Sequence, residues 1–184
     1  GSDPMFVGTA GAGVFRCTSN GGSGPSCEAF NDGLPDLEIR CLAVDELHVW
    51  AATRSAGVFH RAQSGTGPWT AAGLAGESVN ALLFDSPTWW AATDQGLRFT
   101  VDLGQSWGSV AGGLPDRRIV ALAKDDSHLF ASVAMGGVYR SADGGASWVR
   151  LSGGLASPLV MALAAAPEAL YAGTVNAGVY RSSD

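Results

Sequence analysis

The chain has 184 residues, a length that supports one domain with its own core. Its formal net charge of −6, with ten Arg and Lys124 as the one Lys, argues against a nucleic-acid backbone as partner. Apolar residues make up 46% and there are 26 Gly, a mixture that suits many short strands and tight turns. No apolar run approaches the ~18 residues that a membrane-spanning helix needs.

Gly1–Met5 reads as a cloning remnant, and no signal peptide is recognisable; a leader removed beforehand fits that start. The first element expected is Phe6-Val7-Gly8-Thr9, followed after a turn by Gly13-Val14-Phe15-Arg16. Cys17 and Cys27 flank a Gly/Ser-rich hairpin. A disulfide across that hairpin and two unrelated thiols both fit; the disulfide would favour an oxidising compartment and leave Cys41 free. The Cys residues lack C-x-x-C spacing and a nearby His pair, so no zinc site is expected. His48, His60 and His128 are widely spaced and read as strand or turn histidines. No metal and no cofactor are expected.

A Gly-Leu pair at Gly33-Leu34 recurs at Gly73-Leu74, Gly113-Leu114 and Gly154-Leu155, at spacings of 40, 40 and 41 residues. Each leads into a short apolar run, strand A, beginning at Ile39, Val79, Ile119 or Val160. Strand B opens on an aromatic and continues with small residues: Trp50–Thr53, Trp90–Thr93, Phe130–Val133 and Tyr171–Thr174. Strand C opens on Gly: Gly57–His60, Gly96–Phe99, Gly137–Arg140 and Gly178–Arg181. A hairpin and a short strand D complete each unit. Four strands in each stretch of ~40 residues predict an all-β fold, a β-propeller of four-stranded antiparallel blades over residues 6–184. About five blade positions are expected, with the first lacking strand A and the last lacking strand D. Small residues in A and B suit a place where sheets crowd. Helical repeats would need longer amphipathic periods and far fewer Gly.

Two of the C–D hairpins share a pattern. Ser141-Ala142-Asp143-Gly144-Gly145-Ala146-Ser147-Trp148 reads S-x-D-G-G-x-S-W, and Thr100-Val101-Asp102-Leu103-Gly104-Gln105-Ser106-Trp107 lies 41 residues upstream. The Asp can accept turn N–H groups, Gly permits positive φ, Ser caps local backbone and Trp packs between sheets. Phe30 and Trp69 take the place of that Trp in degenerate hairpins. The string Gly137–Trp148 resembles a repeat of the BNR/Asp-box superfamily, which includes bacterial sialidases, xyloglucanases, sortilin-type receptors and the photosystem II stability/assembly factor family. The resemblance covers nearly the whole chain from Phe6 and implies a propeller. In that superfamily the box staples a hairpin away from the active face. Thr100, Asp102, Gly104, Ser106, Trp107, Ser141, Asp143, Gly145, Ser147 and Trp148 are therefore expected to be structural. The resemblance selects no activity, because the fold hosts unrelated functions.

A sialidase would need an arginine cluster and a Tyr-Glu pair. Tyr139, Tyr171 and Tyr180 sit at repeat positions filled elsewhere by other aromatics, and Arg16, Arg140 and Arg181 recur at one repeat position. Both sets read as scaffold. A glycosidase would need two carboxylates about 5–10 Å apart. Candidates exist in Asp36, Glu38, Glu77, Asp94 and Asp116, but Asp36 and Asp116 each follow Gly-Leu-Pro and read as turn residues.

A ligand is expected on the B–C and D–A loops, where neighbouring repeats differ most. The candidates are Arg54, Asp94, Gln95, Met135 and Asn176 from B–C, and Glu38, Glu77, Asp116, Arg117 and Arg118 from D–A. Trp89, alternating with the packed Trp90, joins them as an exposed stacking surface. The function expected is a non-catalytic binding or assembly scaffold, bacterial and periplasmic or secreted, for a protein or glycan ligand. A piece of a carbohydrate-active enzyme with its catalytic residues elsewhere is the alternative, and a chain assembled to study propeller repeats is a third. Self-association through the incomplete end blades is also expected.

Overall fold

The computed structural model describes residues 4–19, 24–151, 153–155 and 157–183. Residues 20–23 of the Gly/Ser-rich hairpin, and residues 1–3 of the expected remnant, lie outside the described residues. Five antiparallel sheets follow one another along the chain. The first is β1 (Met5–Gly8), β2 (Val14–Ser19) and β3 (Pro25–Ala29). The second is β4 (Ile39–Val44), β5 (His48–Thr53), β6 (Val58–Ala62) and β7 (Thr70–Ala71). The third is β8 (Val79–Asp85), β9 (Thr88–Thr93), β10 (Gly96–Thr100) and β11 (Gly108–Ser109). The fourth is β12 (Ile119–Lys124), β13 (Leu129–Val133), β14 (Gly137–Ser141) and β15 (Val149–Leu151). The fifth is β16 (Val160–Ala166), β17 (Ala169–Thr174) and β18 (Val179–Ser182). The fold is all-β and propeller-type, as the repeat predicts, and among the described residues no helix is long and apolar enough to cross a membrane.

Two compact units divide these strands. One runs to Leu82 and includes Asp102–Ser106; the other holds Leu83–Val101 and the chain from Trp107.

In the first unit, Val14, Val49 and Ala51 are fully buried, packed with Phe30, Phe59 and Trp69. Burying a Val or Phe side chain stabilises by about 1.5–3 kcal/mol. The Phe30 and Trp69 rings meet edge to face at 6.0 Å, and Trp69 Nε1–H donates to the Phe30 carbonyl at 2.5 Å. The Trp69 amide donates to the Asp32 carbonyl at 2.8 Å. One indole therefore ties the β6–β7 hairpin to the loop after β3. Cys17 and Cys27 face each other across β2 and β3 and are joined by a disulfide, and Cys41 is free.

In the second unit, Ala131 and Ser132 are fully buried in β13, where sheets approach closely. Strand A is not straight. β12 and β16 each shift register after their first residue, between Ile119 and Ala121 and between Val160 and Ala162, and β4 in the first unit does the same between Ile39 and Cys41. Such a bulge bends and twists the strand locally. Tyr171 is 38% exposed, whereas Phe130 at the equivalent place is 6% exposed. The packed role expected for Tyr171 is thus only partly realised.

The Asp143 hairpin is closed by its own side chains. Asp143 accepts from the Ser147 N–H at 2.8 Å, from the Ser147 hydroxyl at 2.5 Å and from the Ser141 hydroxyl at 2.8 Å. Ser141 Oγ in turn accepts the Gly145 N–H at 2.8 Å. Trp148 is buried, with Nε1–H donating to the Gly145 carbonyl at 3.1 Å. These bonds, led by the Ser147 hydroxyl, pull the Asp143 carboxyl down to about 2. In the first unit, Asp102 accepts from the Ser106 N–H and hydroxyl in the same way, at 2.9 and 2.6 Å.

Candidate functional site

Every B–C turn but one is built on a Thr at the end of strand B. Thr53 is fully buried; its hydroxyl donates to the Gly57 carbonyl and accepts the Ala56 N–H, at 2.9 and 3.0 Å. Thr9, Thr93 and Thr174 make the same pair of bonds in their own turns. The fourth sheet has Val133 at that place. Its turn instead places Met135 at φ 60, and Met135 is 64% exposed. A non-Gly residue at this φ costs about 1–2 kcal/mol and marks the turn as unlike the others. The B–C turn is also tied to the start of strand A by a backbone bond sixteen residues long in sequence. Arg54 N–H donates to Glu38 O in the first unit; Ala134 to Arg118 O and Val175 to Leu159 O do so in the second.

In the first unit this joint carries side chains. Asp36 accepts the Glu38 N–H at 2.9 Å, and the Ser55 N–H and hydroxyl at 2.8 and 2.7 Å. Burial works to raise the Asp36 carboxyl, but these donors outweigh it and hold the group below the usual carboxylate range. Glu38 lies between two guanidiniums, at 2.8 Å from Arg54 and 3.5 Å from Arg40. Glu77 is half-buried, in a turn whose amide donates to the Leu74 carbonyl.

In the second unit, Arg118 Nε lies 3.1 Å from an Asp94 carboxylate oxygen, both half exposed. Asp116 approaches the same turn: its Oδ1 would stand 2.9 Å from a Cβ at Gly96. Gln95 gives its N–H to Thr93, and Arg117 turns back on Pro115 through its amide. Met135 and Asn176 are exposed on their own turns. Trp89 is different. It lies at the start of β9, the opposite end of that strand from Asp94, and is half-buried with its ring 4.3 Å from Phe84. A Trp at this place is a packed residue by the A–B turn, so it is neither freely exposed nor beside the loops.

The strand-C end of the second sheet holds a cavity that the repeat pattern does not announce. It measures about 370 Å³ and is lined by Asp45, His48, Trp50, His60, Ala72 and Gln105 among others. Asp45 accepts the Leu47 and His48 amides at 2.8 and 2.7 Å and the Trp50 Nε1–H at 2.7 Å. Burial opposes ionisation of Asp45, and these bonds prevail and lower its carboxyl. A sequence signal existed: Asp-x-x-His-x-aromatic occurs at Asp45–Trp50 and again at Asp125–Phe130. Among the described residues no group of three or more His, Cys, Asp or Glu converges on one point.

No family model and no curated protein matches the chain. Its likeness is to solved structures. One is the extracellular domain described as part of a hybrid two-component system of B. thetaiotaomicron: TM-score 0.80 and 16% identity, over 100% of this chain and 26% of that one. An ancestral GH74 enzyme gives TM-score 0.75 and 18% identity, over 100% and 29%. PorZ, a bacterial surface component of the type-IX secretion system of Porphyromonas gingivalis, gives 0.70 and 16%, over 98% and 25%. The chain thus spans about a quarter of the length of these proteins. At such identities the likeness is one of fold.

Proposed function

We propose that the chain is a non-catalytic binding or assembly scaffold of the BNR/Asp-box type that works outside the cytoplasm, with the B–C and D–A loops meeting a protein or glycan. The observation that carries this reading is the state of the loop carboxylates. Asp36 is satisfied by three turn donors, Glu38 is clasped by Arg54, and Asp94 lies against Arg118. A glycoside hydrolase pairs a protonated acid with a second carboxylate free to act on the substrate or a water, whereas the Asp36 oxygens are taken up by the donors of their own turns. Carboxylates fixed in this way are rigid and chemically quiet within each unit. The extracellular and surface proteins among its fold neighbours favour an extracytoplasmic, bacterial setting.

The GH74 neighbours favour a second reading, in which this stretch is part of a carbohydrate-active enzyme whose catalytic residues lie elsewhere. Self-association also belongs to the reading: a strand contributed by a second copy along the β3 edge that carries Cys27, or the β16 edge that carries Ala162, would extend a three-stranded sheet by strand addition. A printed glycan array and sizing-column light scattering address the two arms. The scaffold reading expects a glycan signal that Arg54→Ala with Arg118→Ala abolishes, or a concentration-dependent dimer. A strictly monomeric chain whose glycan signal survives both loop substitutions would overturn it.

A further inference from the structure

The second sheet departs from the repeat at one side chain. The strand-C residue paired with the strand-B aromatic is Arg16 opposite Phe6, Phe99 opposite Trp90, Arg140 opposite Phe130 and Arg181 opposite Tyr171. In the second sheet that residue is His60, opposite Trp50. A charged or aromatic side chain has been exchanged for an imidazole, and the exchange occurs beside a second imidazole. His48 pairs with Ala62, so His48, Trp50 and His60 share one face of β5 and β6, with the two His as diagonal neighbours.

The arrangement fixes both rings. His60 stacks on Trp50, with ring centres 4.7 Å apart and planes 28° apart. His48 Nδ1 lies 3.5 Å from Asp45 Oδ1, and Asp45 is itself anchored by two amides and the Trp50 indole. A carboxylate on one side of an imidazole selects the tautomer that leaves the other nitrogen as an acceptor. The two His rings are 5.2 Å apart at 82°. Two imidazoles bound to one tetrahedral ion at about 2.0–2.1 Å have ring centres roughly 5 Å apart. His60 Nδ1 is buried without a hydrogen-bond partner among the described residues, an unsatisfied polar atom that calls for a ligand. The rings border the cavity of about 370 Å³, which Gln105 also lines.

We propose that His48 and His60 form a two-imidazole site for a borderline divalent cation, Zn²⁺ above all, with Asp45 as its positioning residue. Water from the open cavity completes the coordination, so the site is exchangeable, unlike a closed structural zinc centre. The fourth sheet supplies an internal control. Asp125 and His128 repeat the dyad at 3.2 Å, but Arg140 stands where His60 would be. A lone dyad beside a guanidinium is not a cation site. This site is independent of the loop reading above and lies among different residues.

The chain has only three His, so the test is clean. Zn²⁺ alone is titrated into the full chain by calorimetry, with the imidazole C–H resonances followed by NMR. One saturable site is expected, with His48 and His60 shifting and His128 unmoved. His60→Arg, the residue the repeat itself carries, and His48→Ala each weaken binding at least about tenfold; Asp45→Asn, which keeps an acceptor oxygen in the turn, weakens it about tenfold. His128→Ala leaves it unchanged. The parent alone decides the matter should a variant misfold: no saturable binding, or binding reported by His128, overturns the site. Parent-like binding by folded His60→Arg overturns it equally.

Discussion

Gly145 lies directly against the indole of Trp90: a Cβ built on Gly145 would stand 2.3 Å from Trp90 Cη2. Gly145 also has φ 88, and Trp90 is 5% exposed. The second Gly of the S-x-D-G-G-x-S-W pattern therefore has two roles, turning its own hairpin and seating the aromatic of an earlier strand B. Gly145→Ala should cost about 1–2 kcal/mol for the left-handed backbone and about 1–3 kcal/mol for displacing a packed ring. A urea midpoint lowered at unchanged m-value checks this. A parent-like midpoint would refute the packing role.

The first hairpin tests the turn alone. Leu103 has φ 59 where Gly144 has φ 66, and it is 62% exposed. Leu103→Gly removes a left-handed penalty of about 1–2 kcal/mol, while the freer unfolded chain takes back about 0.4–1 kcal/mol. The net expectation is stabilisation by less than about 1.5 kcal/mol, read from the same urea melts. A loss of stability would mean that Leu103 contributes packing beyond what its exposure suggests.

Asp143 gives a pH signature. Its carboxyl is lowered from an ordinary 3.8 to about 2, so the folded state prefers the ionised form. Its contribution is complete above about pH 4 and is lost as pH falls through about 2. Asp143→Ala should lower the melting temperature at pH 7 and flatten the acid limb of the stability profile between those values. The group is fully exposed, so the effect is softened by solvent. An acid limb identical to the parent's would remove the stapling role.

The thiols offer a chemical count. Unfolded, unreduced protein should present one free thiol, Cys41, because Cys17 and Cys27 are bridged. Reaction of three thiols with Ellman's reagent would contradict the bridge.

The strand order was readable because the repeat carries it. The aromatic-small-small strand B and the Gly-opened strand C each correspond to an element within a residue or two, β5, β9, β13 and β17 among them, and the Gly-Leu pairs mark the loop before each strand A. What repeats is what packs, so repetition exposes the scaffold. The loop joints were less visible. Arg54 with Glu38 and Arg118 with Asp94 are pairs between loops sixteen and twenty-four residues apart in sequence, which no local pattern announces. Trp89 read as exposed because alternation with Trp90 suggests it, yet Phe84 on the neighbouring strand covers it. The His48–His60 pair lay hidden for a simpler reason: two His twelve residues apart form no linear motif until β5 and β6 pair in register.

Hydrolysis bears most directly on the central reading of a scaffold without chemistry of its own. The purified chain is incubated with xyloglucan and with an aryl sialoside, and released reducing ends and aryl alcohol are measured against Asp36→Asn and Glu38→Gln variants. The account predicts no release above the blank from any of the three proteins. Product formation by the parent that either substitution abolishes would contradict it.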